Sequence, residues 1–181
     1  MFDKRSQQYM HHTPQKRIIL GIDPGLAHTG WGVVAQQGAR LACMAYGCIE
    51  TRSSQQLPDR LFKIYSQISA VVARYQPSCV SIETVWFGTN TTSAFATGQA
   101  RGAALAACAS TVAHFGEYSP KQIKLAIVGT GSADKAQVEY MVQHLLGLES
   151  KPEPDHAADA LAAAICFANY DLASFGKADA L

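Results

Sequence analysis

The chain has 181 residues, of which 48% are hydrophobic and 16% charged, and its formal net charge at pH 7 is +1. This composition predicts one compact α/β domain. The total charge is neutral evidence on nucleic-acid binding, so any phosphate-binding surface must be local. No apolar run approaches the roughly 20 residues of a membrane span, and the first residues are too polar for a signal peptide. Five dispersed cysteines without a Cys-x-x-Cys pair predict reduced thiols in a cytoplasmic protein.

The first strands follow an N-terminal segment that lacks a hydrophobic period. We interpret residues 1–16 as a flexible arm. An apolar, β-branched run at residues 17–22 leads to Asp23 and a Pro-Gly turn, which places Asp23 at the end of a strand. Strands near residues 29–35 and 40–47 follow as a meander. From this segment alone Asp23 is equally a metal ligand or the first residue of a turn, a position that suits aspartate.

A helix then leads to a second strand that ends in an acid. Apolar residues recur with a helical period between Leu61 and Tyr75, and Pro77 closes the helix. The next short apolar strand ends at Glu83. A helical crossover favours parallel pairing of strands, which would bring Glu83 beside Asp23 at one edge of the sheet. A carboxylate after an apolar strand is costly to bury unless it is paired or bound to metal, so a functional role is favoured for Glu83.

The next part of the chain predicts helices interrupted by one strand. A helix rich in small residues covers about residues 90–110, and a strand follows at residues 112–118. Ser119 and Pro120 open a short helix, where proline is tolerated in the first turn. After a Gly-Thr-Gly break, Ser132 is predicted to cap the following helix.

The last predicted helix carries two further candidate ligands. It runs from His156 to about Tyr170, and residues 171–181 are interpreted as a C-terminal tail. Helical residues three apart share a face, so His156 and Asp159 point the same way. Asp155 lies four residues before Asp159, and spacing does not choose between Asp155 and His156. Acids in a first turn also complement the helix dipole, which is the structural alternative.

Together these groups predict a site for hard metal ions. The candidate ligands are Asp23, Glu83, His156 and Asp159. Mg²⁺ is held by a few carboxylates with water and phosphate oxygens, and two such ions support phosphodiester hydrolysis. A histidine ligand must be neutral, so it should lose metal below about pH 6.5, and it also tolerates Mn²⁺.

Basic and aromatic residues near these acids predict contacts to a nucleic acid. Lys121, Lys124 and Lys135 lie near predicted helix starts, where ammonium groups and backbone amides bind phosphates. An ordinary solvated lysine face is the alternative. Trp86, with Phe87, follows the second strand and could stack on an unpaired base, with core packing as the alternative.

Five segments in order resemble the RuvC-type Holliday-junction resolvases, crossover junction endodeoxyribonucleases of the ribonuclease H-like fold. They are residues 19–25 with Thr29 and Gly30, residues 82–87, residues 98–102, residues 128–135 and residues 156–161. The resemblance implies an α/β nuclease domain at residues 17–170 with a mixed five-stranded sheet flanked by helices. Asp23, Glu83 and Asp159 would be its metal-binding acids. His156 would take a fourth position where many members carry aspartate.

The resemblance also implies a function. That function is structure-selective cleavage of four-way DNA junctions by a homodimer, with paired symmetric nicks made through metal-activated water, in recombination and repair. The implied cofactor is Mg²⁺, with two ions per site and Mn²⁺ able to substitute, and the implied partners are the branch-migration proteins RuvA and RuvB. Lys124 and Lys135 match basic residues that contact junction phosphates, and Trp86 falls where the family often places a stacking phenylalanine.

Two other functions stay open at this point. The departure at His156 is compatible with a junction-binding protein that lacks nuclease activity. The first strand also reads Gly-Ile-Asp, as in phosphate-binding ATPases of the actin-like group, although these normally need a longer chain and a second nucleotide-binding half.

Overall fold

The described part of the chain forms ten helices and strands. A computed structural model describes residues 16–84, 91–112 and 114–178, with side chains up to residue 170. The elements are β1 (Arg17–Asp23), β2 (His28–Gln37), β3 (Arg40–Glu50), α1 (Leu57–Tyr75), β4 (Cys79–Glu83), α2 (Thr91–Cys108), β5 (His114–Tyr118), α3 (Pro120–Val128), α4 (Lys135–Leu146) and α5 (Asp155–Ala178). Except for Lys16, the proposed arm lies outside the described residues.

The five strands form one mixed sheet in the order β3-β2-β1-β4-β5. β1, β2 and β3 make the predicted antiparallel meander. β4 pairs in parallel with β1 and with β5, which confirms the parallel pairing predicted from the α1 crossover. Ile22 lies opposite Ile82. The residues that follow them, Asp23 and Glu83, therefore lie side by side where β1 and β4 end.

One face of the sheet packs aliphatic side chains against α1 and α2. Alternation along the strands sends Leu20 and Ile22 of β1 to this face, together with Val80 and Ile82 of β4. They meet buried side chains of α1 such as Ile68. This face is therefore a conventional apolar core. Full burial of one aliphatic side chain of this size stabilises the fold by about 1.5–3 kcal/mol.

The opposite face is covered by α5, whose alanine-rich sequence lets its main chain approach the strands closely. A Cβ at Gly21 would overlap the carbonyl oxygen of Ala160, and a Cβ at Gly30 would overlap that of His156. Both obstacles are backbone atoms, so only glycine fits at these two positions. The first turn of α5 is thereby placed over the edge where β1 and β4 end.

Two predicted helix boundaries are wrong. The N-cap of α4 is Asp134, not Ser132, because the Asp134 carboxylate accepts from the Gln137 N–H at 2.8 Å and the Gln137 side chain accepts from the Asp134 N–H at 2.9 Å. α5 does not end near Tyr170, so residues 171–178 of the proposed tail are helical. Extending a helix that is already formed costs little, which explains the longer α5.

Two structural observations concern the cysteines and the helices. All five cysteines lie in the described part of the chain, and each has a free thiol. Among the residues described, no helix is long and apolar enough to span a membrane.

Candidate active site

The ends of two strands and the start of one helix bring the predicted acids to one edge of the sheet. Asp23 ends β1, Glu83 ends β4, and the first turns of α5 supply His156 and Asp159. Along β1, Asp23 is two residues after Gly21 and therefore lies on the face that α5 covers. Groups from opposite ends of the chain thus converge as the sequence predicted.

Asp23, His156 and Asp159 form the most compact part of the site. One ligand atom from each of the three side chains lies within 4.8 Å of the other two. His156 Nδ1 donates a hydrogen bond to Asp23 Oδ2 at 2.8 Å, since an ionised carboxylate offers only acceptors. Two carboxylates and one imidazole are a donor set that suits a divalent ion such as Mg²⁺ or Mn²⁺.

Glu83 stands beside this group and interacts with its charges. The pKa of Glu83 is raised to about 7, first by burial and then by the charges of Asp23 and Asp159, while Lys124 acts in the opposite direction. The pKa of Asp159 is also raised, by burial and by the charge of Asp23. Carboxylates held this close repel one another, and a divalent cation among them would remove the repulsion. The residues present therefore fit a metal ion.

His156 contacts two side chains, one of which the sequence did not predict. Its hydrogen bond to Asp23 raises the pKa of His156, and burial acts against that rise. The ring of His28 lies parallel to the ring of His156, with centroids 5.2 Å apart and planes 8° apart. The sequence places His28 only on the same side of β2 as Gly30, two residues later, and this does not identify the partner ring.

Asp155 takes a different place from the metal-binding candidates. Its carboxylate pairs with Lys135 Nζ at 3.0 Å and with Lys151 Nζ at 3.8 Å. Lys135 Nζ also lies 3.4 Å from Asp159 Oδ2. Sequence spacing left Asp155 and His156 equivalent, whereas the structure turns Asp155 toward lysines and places His156 in the compact group.

A cavity of about 250 Å³ opens beside the acids. It is lined by Glu83, Pro120, Ile123, Lys124, Lys135, Val138, Asp159 and Ala162. Two ammonium groups and two carboxylates therefore face one space. Lys121 runs along Gly131 instead, where an added Cβ would come 2.6 Å from Lys121 Cγ. Trp86 and Phe87 lie outside the described residues, so base stacking stays a prediction.

Comparison with known proteins points to a single family. The family model described as crossover junction endodeoxyribonuclease RuvC matches residues 19–167. A relative of that name from Rubrobacter xylanophilus is 49% identical over 153 residues, covering 84% of this chain and 86% of the relative. Another from Vibrio parahaemolyticus is 49% identical over 152 residues, covering 84% and 87%.

Solved structures agree with the sequence relatives. The RuvC of Thermus thermophilus in complex with a Holliday junction substrate is similar to this chain with a TM-score of 0.81 and 34% identity, over 87% of this chain and 96% of that one. A structure of the same protein described without DNA gives a TM-score of 0.79 and 36% identity, over 88% and 96%. The predicted α/β, ribonuclease H-like fold is confirmed.

Proposed function

Since the chain belongs to the RuvC family of crossover junction endodeoxyribonucleases, we propose that it resolves four-way DNA junctions by paired symmetric nicks in recombination and repair. The observation that carries this proposal is the convergence of four candidate metal ligands at one sheet edge. They are Asp23, Glu83, His156 and Asp159. Their position next to a lysine-lined cavity suits cleavage of a phosphodiester.

We propose Mg²⁺ as the cofactor, with two ions per site and Mn²⁺ able to substitute. Asp23, His156 and Asp159 would share one ion, because their ligand atoms already lie close together. Glu83 would bind a second ion together with one of the two aspartates, because the charges of both aspartates raise its pKa. When bound, such ions activate the attacking water and stabilise the leaving oxygen of an in-line displacement.

The lysines around the cavity are proposed to position the DNA strand. Lys124 and Lys135 line the cavity and would bind phosphates next to the scissile bond. The contact of Lys135 with Asp159 keeps its ammonium group beside the acids. Lys121, exposed in the first turn of α3, would contact phosphates farther along the strand. Trp86 is proposed to stack on a base at the opened crossover.

We propose a homodimer, because two sites related by a two-fold axis match the symmetry of a junction. An exposed strip on α2 supports this arrangement. Phe95 is 68% exposed, and Gly98 and Gly102 lie on the same side of the helix with nothing within 4 Å of an added Cβ. In sedimentation experiments Phe95→Asp should yield monomers, whereas Tyr140→Asp, a similarly exposed aromatic on α4, should not.

Two further proposals concern the cellular setting. The free thiols of all five cysteines suit a reducing compartment and support a cytoplasmic location. The proposed association with RuvA and RuvB rests on family membership.

A labelled four-way junction tests the nuclease activity. We expect paired nicks with Mg²⁺ or Mn²⁺, no nicks with excess chelator, and little cleavage of a linear duplex of the same sequence. A chain that shifts the junction in a gel but leaves it uncut with either ion would contradict the proposal and identify a junction-binding protein.

A further inference from the structure

A second histidine lies against the proposed metal site without belonging to the compact group of ligands. The rings of His28 and His156 are stacked, with a centroid distance of 5.2 Å and an interplanar angle of 8°. Stacked rings with centroids about 4.5–7 Å apart are a favourable arrangement. His28 therefore covers one face of the His156 imidazole.

The fold explains why the two rings meet. His28 begins β2 and lies two residues before Gly30, on the same side of the strand. At Gly30 the absence of a Cβ admits the carbonyl group of His156 against the strand. The same face of β2 thus contacts His156 twice. Gly30 packs against its main chain, and the ring of His28 packs against its side chain.

The His156 ring needs such support because it is only partly enclosed. Its side chain is 43% exposed, and its polar contact is the hydrogen bond to Asp23 at 2.8 Å. That hydrogen bond uses the carboxylate that a metal ion would also use, so ion binding and the hydrogen bond compete for Asp23. Stacking on His28 uses no ligand atom of His156 or Asp23, so it would not compete with a bound ion.

We propose that His28 is a positioning residue, whose ring holds the His156 imidazole in the orientation in which it joins Asp23 and Asp159 in binding a divalent ion. This inference rests on the proposed function, since it requires a metal ion at His156. It assigns no ligand atom and no proton transfer to His28. A flat ring at position 28 is sufficient for the role, and an imidazole is not required.

The affinity for Mn²⁺ without DNA tests the proposal through the electron paramagnetic resonance signal of the free ion at about pH 8. We expect His28→Ala to weaken Mn²⁺ binding about three- to tenfold, the range that corresponds to one aromatic pair. His28→Phe should stay within about twofold of the parent, because the stacking ring is retained. In a His156→Asp background, His28→Ala should leave the affinity unchanged, since no imidazole remains to be oriented.

A second readout needs no metal ion. The ring protons of His156 should experience the ring current of His28 in a nuclear magnetic resonance spectrum of the metal-free protein. His28→Ala should remove that shift, and His28→Phe should retain a shift of the same sign. Unchanged melting temperatures would show that both variants are folded, as expected for an exposed residue.

Four results would overturn the inference. If His28→Phe binds Mn²⁺ as weakly as His28→Ala, His28 acts through its nitrogens, as a ligand or a polar contact. An equal loss in the His156→Asp background would show that His28 acts elsewhere. Should His156→Ala leave Mn²⁺ binding unaltered, the proposed metal site itself fails, whereas binding that depends on His156 but not on His28 removes this inference alone.

Discussion

The two faces of the central sheet both bury apolar side chains, but they differ near the end of β1. Toward α1 and α2, β1 presents Leu20 and Ile22, which interlock with other aliphatic side chains. Toward α5 it presents Gly21 and Asp23, so that backbone meets backbone and a carboxylate follows. Side chains repack around small changes, whereas main-chain contacts do not. Both faces therefore contribute apolar burial, whereas the close main-chain approach at Gly21 fixes where the functional groups of α5 lie.

The largest expected effect is on catalysis, and it distinguishes Glu83 from its neighbour on the aliphatic face. Glu83→Gln should lower the rate of junction nicking about a thousandfold, since it removes several kcal/mol of metal-supported transition-state stabilisation. Junction binding in a gel-shift assay should be retained. Ile82→Val, the preceding residue on the aliphatic face, is the matched control and should nick within a few-fold of the parental rate. Parental nicking by Glu83→Gln would show that Glu83 is misassigned.

The next effect compares the packing of two adjacent residues of β1. Gly21→Ala should lower the free energy of unfolding by about 3 kcal/mol or more, because the new Cβ overlaps the Ala160 carbonyl oxygen. Ile22→Val removes one methylene on the other face and should cost about 1 kcal/mol. Urea denaturation of both variants measures the difference. Equal losses would contradict the contrast between main-chain and side-chain packing.

A pH effect on stability is expected from the same face. Between about pH 4.5 and 7 the folded protein holds a proton on Glu83 that the unfolded chain has lost, so the raised pKa makes stability fall as pH rises through this window. A shift of this size corresponds to on the order of 3 kcal/mol. Without metal, Glu83→Gln should therefore be more stable than the parent at about pH 8 and equally stable at about pH 4. Thermal unfolding in chelator at both pH values provides the measurement, and an equal gain at both would show that charge is not the cause.

The smallest effect concerns the lysines. Lys135→Gln should weaken junction binding and reduce the slope of log affinity against log salt by about one, as expected for the loss of a single phosphate contact. Lys151→Gln is the control, because Lys151 pairs with Glu139 at 2.7 Å and does not line the cavity. Equal slopes for Lys135→Gln and the parent would remove Lys135 from the DNA contact surface.

Sequence patterns predicted those parts of the fold and site that local rules determine. A strand end marked by proline and glycine placed Asp23, and the crossover of α1 implied the parallel pairing that sets Glu83 beside it. The i, i+3 spacing brought His156 and Asp159 to one side of α5. Each inference needed only a local sequence signal: a turn at a strand end, a crossover helix or a helical spacing.

The parts that sequence did not predict depend on tertiary contacts or on competing local signals. Choosing His156 over Asp155 required the position of Lys135, whose ammonium group pairs with Asp155, whereas His156 lies in the compact group. The stacking role of His28 depends on a partner far along the chain, and its own segment carries no chemical signal for it. Ser132 was a plausible cap, but only Asp134 completes a reciprocal capping box, which a residue-by-residue preference does not reveal.

In the proposed site, Lys135 would link metal binding to DNA binding. Its ammonium group pairs with Asp155 and Asp159, and these contacts raise the pKa of Lys135 although partial burial would lower it. A cation taken up by Asp159 would displace that ammonium and leave it available for a DNA phosphate. By thermodynamic reciprocity, ion uptake and junction capture then strengthen one another by the same factor. Such an enzyme would have its metal site fully occupied chiefly while junction DNA is bound.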